Sequence, residues 1–311
     1  VTDIMHERVF EPLEIKKLAN RTRAYLKIQD GCSQFCSYCI IPYARGPIRS
    51  RQPEDVIAEV KRLAENGFKE VVLTGIHVAS YGKDLKTITL IDIIRQVHEV
   101  EGIERIRFSS IEPNVVTEEF AAAMAELPKV CDHFHLSLQS GCDKTLKEMN
   151  RKYDTEKYRQ AAALLRKYLP DVAITTDIIV GFPGETEEDY QASRAFAEEI
   201  GFSKIHVFPY SPKKGTPAAA RKDQLQNVVK QERSHDLITV SDRMTDAFLQ
   251  KHVGKVMPVL FERCIGDDVY EGHTTNYMKV HARSTKDLSN VIADTKILSV
   301  AEEMAFGEVE A

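Results

Sequence analysis

The sequence contains no apolar run of about 20 residues, the length that a bilayer-spanning helix requires. It also lacks an excess of positive charge, because 42 lysines and arginines stand against 47 aspartates and glutamates, for a formal net charge of −5. The first absence excludes a membrane-spanning protein, and the second excludes a surface coated with basic residues. A local basic patch can still bind nucleic acid. Residues 1–5 carry no signal-peptide pattern, so we expect a cytoplasmic protein.

Cysteine is scarce, with six residues in a chain of 311, and the spacing forms no regular framework. This distribution argues against a disulfide scaffold and is typical of a reducing compartment. Three cysteines lie close together with three and then two residues between them: Cys32, Cys36 and Cys39. The others are scattered singly and are expected to be free thiols: Cys131, Cys142 and Cys264.

The three clustered cysteines indicate an iron–sulfur cluster more strongly than a zinc site. Zinc sites commonly use four ligands arranged as two close pairs, and no second pair follows Cys36 and Cys39. Three thiolates would hold a [4Fe–4S] cluster one ligand short, which leaves one iron open to a small molecule. Zinc remains the weaker alternative.

Strand-like runs alternate with segments whose apolar residues recur at helical spacing, a pattern typical of βα units and a parallel sheet. Six βα units are too few for a closed eight-fold barrel, so the sequence predicts an open, partial six-stranded parallel β/α barrel. The predicted strands span residues 24–28, 70–73, 105–108, 133–137, 172–180 and 204–208.

The pattern changes after Pro217 to a long polar helix over about 223–250, followed by short alternating runs. These runs predict a small antiparallel β-barrel with strands at 256–261, 269–273, 278–281 and 291–298. The predicted organisation is a linker or the tail of another domain over 1–20, the partial barrel over 21–250, and the small barrel over 251–311.

The cysteine loop follows the first predicted strand, which places it at the carboxyl edge of the sheet, where parallel α/β folds bind ligands. Polar residues or glycines follow several other strands, and we expect cofactor contacts from this set: Tyr38, Gly75, His77, Ser110, Glu112, Gln139 and Gly181. Tyr38 either packs against an adenine or lies in the core beneath the loop. Phe35 is expected in the core.

Positive charge gathers near the same edge, and four residues are predicted to contact RNA there: Arg45, Arg49, Lys213 and Lys214. The alternative is a solvated basic loop. In the small barrel, Asn276, Tyr277 and Lys279 are predicted RNA contacts, since an aromatic ring can stack on a base while polar and basic groups hold phosphate.

Together these motifs resemble the radical S-adenosylmethionine (SAM) methylthiotransferases, over nearly the whole chain. The similarity is carried by residues 23–46, 73–77, 109–113 and 181–185. The sequence most resembles the branch that modifies N6-threonylcarbamoyladenosine beside the anticodon of tRNA. Residues 272–277 are similar to the TRAM domain with which these enzymes grip RNA.

The resemblance implies that Cys32, Cys36 and Cys39 hold a [4Fe–4S] cluster whose open iron binds SAM. It implies that a 5′-deoxyadenosyl radical abstracts hydrogen from C2 of the adenine, that a sulfur species is then inserted, and that a second SAM supplies the methyl group. No side chain is assigned a catalytic role. The implied partners of a monomeric enzyme are tRNA and a one-electron donor such as a flavodoxin or ferredoxin, with no membrane.

Two alternatives stay open. One is another radical-SAM enzyme with the same domains, such as a relative that methylthiolates a ribosomal protein. The weaker one is a zinc-stabilised RNA-binding module, which leaves the polar strand ends unexplained.

Members of the family carry an N-terminal domain whose own three cysteines hold a second cluster, and the sequence begins beyond the expected end of that domain. We therefore expect one cluster in this chain, with SAM cleavage but poor sulfur insertion. Anaerobic reconstitution followed by iron and sulfide analysis should give about four irons per chain. A content of about eight irons would contradict this expectation.

Overall fold

The computed structural model describes residues 4–11 and 22–310. The predicted linker over 1–20 therefore lies mostly outside the described residues. Of this segment, Ile4–His6 forms a single 3-10 turn. No helix in the described part of the chain has the length and hydropathy needed to cross a bilayer.

The first part of the chain alternates strands with helices. Its strands are β1 (Arg23–Asp30), β2 (Arg49–Ser50), β3 (Glu70–Gly75), β4 (Arg105–Phe108), β5 (His133–His135), β6 (Ala173–Val180) and β7 (Lys204–Pro209). Its helices are α1 (Ile41–Arg45), α2 (Pro53–Glu65), α3 (Leu90–His98), α4 (Glu118–Glu126), α5 (Asp143–Glu148), α6 (Thr155–Tyr168), α7 (Glu187–Ile200) and α8 (Asn227–Gln250).

The parallel strands form a curled sheet that is interrupted once. Strands are ordered β2-β1-β3-β4 in one hydrogen-bonded sheet and β5-β6-β7 in another. Isolated parallel bridges, Ile106 with Val130 and Ile111 with Leu136, connect the two parts. The predicted α/β architecture is confirmed in this coarser form, while the expected continuous six-stranded sheet is replaced by two sheets and an additional antiparallel strand, β2.

Strand alternation divides the sheet into an apolar and a polar face. On the outer face, Ala24, Leu26 and Ile28 of β1 pack in one core with residues of every other parallel strand and of the helices. The alternate positions form what we call the inner face. It is mostly polar and includes Lys27, Gln29, Glu70, Thr74, Arg107, His133, His135, Thr175, Asp177 and His206.

The C-terminal region forms a closed five-stranded barrel from β8 (Val256–Gly266), β9 (Val269–Thr274), β10 (Lys279–Arg283), β11 (Val291–Ala301) and β12 (Met304–Val309). Its core contains Val259, Phe261, Val280 and Ile297. The sequence analysis missed β12. The expectation of a purely antiparallel barrel was also wrong, because β10 and β12 pair in parallel to complete the closure.

The turn between β9 and β10 packs against the amino ends of the parallel strands. Arg105 donates hydrogen bonds to the carbonyl oxygens of His273 (2.8 Å) and Pro258 (2.9 Å). Arg107 donates to the carbonyl oxygen of Thr275 (3.1 Å) and, through Nε, to Oε1 of Glu70 (3.0 Å). Two inner-face arginines of β4 thus join the parallel sheet to the C-terminal barrel.

The buried Glu70–Arg107 ion pair should contribute more to stability than the exposed Lys69–Glu104 pair immediately before the same two strands. Glu70 and Arg107 are 1% and 4% exposed. Because Glu70→Gln leaves a buried guanidinium without its counterion, we expect a loss of about 3–5 kcal/mol in the free energy of unfolding, measured by urea denaturation.

The matched control is Glu104→Gln, which breaks the surface pair between Glu104 and Lys69. It should cost about 1 kcal/mol or less. Equal effects of the two substitutions would show that burial of the first pair is unimportant.

Candidate functional site

The three clustered cysteines lie on a loop that leaves the carboxyl end of β1. Gly31 begins the loop at φ +73°, and a Cβ there would lie 1.8 Å from the carbonyl oxygen of Pro47, so only glycine fits. The amide of Ser37 donates to the carbonyl oxygen of Met149 (3.0 Å), and that of Ala218 donates to the carbonyl oxygen of Ser37 (2.8 Å). The loop is thereby anchored to the segments that follow α5 and β7.

The thiols on this loop form no disulfide bonds, and they interact with one another electrostatically. Cys36 is buried, while Cys32 and Cys39 are half-buried. Burial raises the pKa of the Cys32 thiol to about 11, and its repulsion by Cys36 and Cys39 contributes in the same direction. Burial likewise raises the pKa of Cys39. Three thiolates so close together would need a strong positive centre to hold them.

This donor set fits a cluster better than a single metal ion. A lone zinc ion needs its sulfur ligands about 2.3 Å from one point. Among the described residues, no three side chains of His, Cys, Asp or Glu converge on such a point. A cubane spreads its ligands, since each thiolate binds a different iron. Three thiols of one loop that do not converge on a single point are compatible with this requirement.

A buried ion pair lies directly behind Cys36. Arg151 places Nη1 3.1 Å from Sγ of Cys36 and donates through Nη2 to Oε1 of Glu112 (2.8 Å). The same guanidinium lies 3.4 Å from the hydroxyl of Tyr38 and donates through Nε to Tyr153 (2.9 Å). The positive charge of Arg151 is therefore fixed beside a cysteine sulfur by several partners.

Glu112 connects this arginine to the ends of the neighbouring strands. Burial alone would raise the pKa of Glu112, but the close approach of His77 and the charge of Arg151 lower it overall. His77 places Nε2 3.2 Å from Oε2 of Glu112, and its amide donates to Oε1 of Gln29 (2.7 Å). Three predicted cofactor residues, Tyr38, His77 and Glu112, are thus brought together with Cys36.

Gly75 adjoins this network through Gln29, and the other predicted cofactor residues have different contacts. Gly75 is close to Gln29 (2.8 Å from a Cβ) and Gly181 to Lys230 (2.5 Å), so packing within the chain accounts for both glycines. Ser110 is exposed. Gln139 adopts φ +71°, and its amide donates to the carbonyl oxygen of Asp177 (2.8 Å).

The predicted RNA contacts near the cysteine loop differ in exposure. Arg45, Lys213 and Lys214 are exposed. Arg49 is 4% exposed and pairs with Asp30 at 3.4 Å, so its charge is used inside the fold.

Phe35, expected in the core, is 41% exposed. It packs edge-on against the exposed ring of Tyr43, with centroids 5.6 Å apart. The loop itself holds Phe35 outward, because this residue adopts φ +51° and its carbonyl oxygen accepts a hydrogen bond from Asn150 (2.8 Å).

In the C-terminal barrel, two of the three predicted RNA contacts belong to the junction. Asn276 is 2% exposed and lies 3.0 Å from Nε2 of His252. Tyr277 stacks on His133 (4.9 Å between ring centroids), and its hydroxyl accepts a hydrogen bond from Arg23 (2.9 Å). Lys279 is exposed and lies 3.6 Å from Glu271.

Three residues of the site were not predicted from the sequence: Arg151, Gln29 and Tyr153. Arg151 follows α5, more than 100 residues beyond Cys36, and no local pattern marks it as a partner of the cysteine loop. Gln29 had a usable signal, since it is a polar residue on a predicted strand immediately before the loop.

A curled parallel sheet with a three-cysteine loop at its carboxyl edge defines an iron–sulfur enzyme of the α/β class. Residues 26–197 match the model of the radical SAM superfamily. Two solved structures share the fold. One is the radical SAM methyltransferase TsrM of Kitasatospora setae, with a TM-score of 0.53 and 16% identity, and the match covers 84% of this chain and 47% of that one. The other is coproporphyrinogen III oxidase HemN of Escherichia coli, with a TM-score of 0.51 and 13% identity, and the match covers 84% of this chain and 68% of that one.

Two curated relatives are much closer in sequence. The threonylcarbamoyladenosine tRNA methylthiotransferase MtaB of Bacillus subtilis (strain 168) is 43% identical over 96% of this chain and 67% of the relative. A tRNA-2-methylthio-N6-dimethylallyladenosine synthase of Thermoanaerobacter sp. (strain X514) is 41% identical over 99% of this chain and 66% of the relative. The chain thus spans about two thirds of the length of these relatives.

The chain belongs to the radical SAM superfamily and, within it, to the tRNA methylthiotransferases. The resemblance drawn from the sequence is thereby confirmed. The cofactors of this superfamily are a [4Fe–4S] cluster and SAM.

Replacing each cysteine separately tests which thiols bind the cluster. Alanine at Cys32, Cys36 or Cys39 should remove most of the visible absorption and iron of the reconstituted protein, because each thiolate holds one iron. Cys264→Ala and Cys142→Ser should leave both unchanged, since these are single cysteines away from the loop. Loss of iron in either control would mean that the cluster has other ligands.

Proposed function

We propose that the protein is a radical-SAM methylthiotransferase that modifies C2 of N6-threonylcarbamoyladenosine beside the anticodon of tRNA. The observation that carries the proposal is the loop of three unbonded cysteines with the Arg151–Glu112 pair directly behind Cys36. The 43% identity to the threonylcarbamoyladenosine enzyme over nearly the whole chain supports a tRNA methylthiotransferase and is compatible with this substrate.

Cys32, Cys36 and Cys39 would hold the cluster, and Tyr38, His77 and Glu112 would lie beside it. When bound, the cluster and SAM supply one-electron cleavage chemistry, which allows hydrogen to be removed from an unactivated C–H bond. The positive charge of Arg151, 3.1 Å from the sulfur of Cys36, offsets the negative charge that three thiolates concentrate in a partly buried place. His77 and Arg151 keep Glu112 ionised as a fixed hydrogen-bond acceptor.

RNA binding would rest on exposed basic residues near the carboxyl edge and on the C-terminal barrel, which we assign as a TRAM-type domain. Arg45, Lys213 and Lys214 can neutralise phosphates, and Lys279 offers a further contact on the barrel. Binding through phosphates weakens as salt rises. A cytoplasmic location and a flavodoxin- or ferredoxin-type electron donor complete the proposal.

The direct test is to incubate the reduced, reconstituted protein with SAM and to measure 5′-deoxyadenosine. We expect product from the wild-type chain and from Cys264→Ala, and less than about 1% of that amount from Cys36→Ala, because loss of one ligand removes the cluster. Absence of product from a wild-type protein that carries its full iron would refute the proposed function.

A further inference from the structure

Two histidines face each other midway along the inner face. The rings of His135 on β5 and His206 on β7 are stacked with centroids 5.8 Å apart. Nδ1 of His135 lies 3.0 Å from the hydroxyl of Thr175, and its Nε2 lies 3.3 Å from Oδ2 of Asp177. His135 is therefore oriented by its neighbours, and it positions the ring of His206.

His206 is the member of this group that is available to a ligand. Its side chain is exposed on the inner face, and the described residues form no hydrogen bond to its ring. Partial burial lowers the pKa of His206, so at neutral pH the ring offers one N–H donor and one acceptor.

The nearby cations are already paired within the protein. Lys27 lies 2.6 Å from Asp30, while Lys204 contacts both Asp242 (3.2 Å) and Glu303. His206 is therefore an exposed inner-face ring to which no described residue forms a hydrogen bond, whereas Nε2 of His135 and Nδ1 of His133, which also lack a hydrogen bond, are buried. A ligand that reaches it would compete with no existing hydrogen bond.

The geometry of the proposed substrate is compatible with an N6 substituent that reaches this histidine. C2 must face the cysteine loop at the carboxyl edge for its hydrogen to be removed. The exocyclic bonds at C2 and C6 of a planar ring diverge, so a substituent on N6 points away from that edge. At about 3.3 Å per residue, His206 lies roughly 10 Å below Pro209, the carboxyl end of β7, within reach of a purine and its substituent.

We infer that His206, positioned by His135 and accompanied by Asp177, selects a polar, carboxylate-bearing N6 substituent over an apolar one. A threonylcarbamoyl group brings a carboxylate that accepts from the ring N–H of His206, and a hydroxyl and N–H groups that donate to Asp177. A dimethylallyl group would desolvate both side chains without replacing their water. This inference rests on the proposed function and assigns residues to its substrate selection.

The test compares three anticodon stem-loops that differ only at the base beside the anticodon: N6-threonylcarbamoyladenosine, N6-dimethylallyladenosine or adenosine. Affinities for the reconstituted full chain are measured by fluorescence anisotropy. The wild type should bind the threonylcarbamoyl loop roughly ten-fold or more tightly than the dimethylallyl loop, because a site built on hydrogen bonds rejects analogues that lack them.

His206→Leu should bring the affinity ratio close to one, whereas His206→Gln, which keeps a donor, should retain most of it. His235→Leu, an identical change at an exposed position of α8, is the matched control and should leave the ratio unchanged. His206→Ala provides a second apolar variant in case leucine perturbs folding, which a thermal melt detects.

The outcomes distinguish a failure of the role assigned to His206 from a failure of the proposed function. An unchanged ratio in both apolar variants, or a wild-type preference for the dimethylallyl loop, would overturn the assignment of His206 while leaving the methylthiotransferase intact. If the wild type bound none of the loops and formed no 5′-deoxyadenosine, the proposed function would fall, and this inference with it.

Discussion

The buried pair of Arg151 and Glu112 is the interaction on which the candidate site depends. Burying two charges is costly, and their attraction offsets that cost only when the remaining polar atoms are also satisfied. Here His77 contacts the carboxylate and Tyr153 the guanidinium, while a free edge of Arg151 meets the sulfur of Cys36. The pair thus fixes an irregular loop to the ends of regular strands, which gives the cysteines a defined place.

Strand alternation explains why this site and the C-terminal barrel lie at opposite ends of the inner face. The same inner face that presents Gln29 near the cysteine loop presents Arg105 and Arg107 at its other end. These arginines bind backbone carbonyls of the second barrel, whose Tyr277 stacks against His133. The small barrel therefore packs against the amino end of the inner face, in addition to any role in RNA binding.

Local sequence patterns predicted the features that local physics determines. Cysteine spacing indicated the cluster loop, and apolar alternation located six parallel strands within a few residues. Whether a polar side chain is exposed depends on partners that are distant in sequence. Arg49 and Asn276 were predicted to contact RNA, but they are buried in contacts with Asp30 and His252. Arg151 could not be predicted from the sequence, because its partners on the cysteine loop lie more than 100 residues away.

Overall identity discriminates poorly between substrates, since 43% and 41% separate relatives that act on differently modified adenosines. With the base placed as proposed, a few inner-face positions would decide between the substrates. An apolar substituent requires apolar walls, whereas this chain places imidazoles and a carboxylate at His135, His206 and Asp177. Hydrogen-bonding groups on a partly exposed inner face are tolerated without a ligand and are satisfied by a polar one. The chemistry of this surface therefore favours the threonylcarbamoyl substrate on grounds independent of sequence identity.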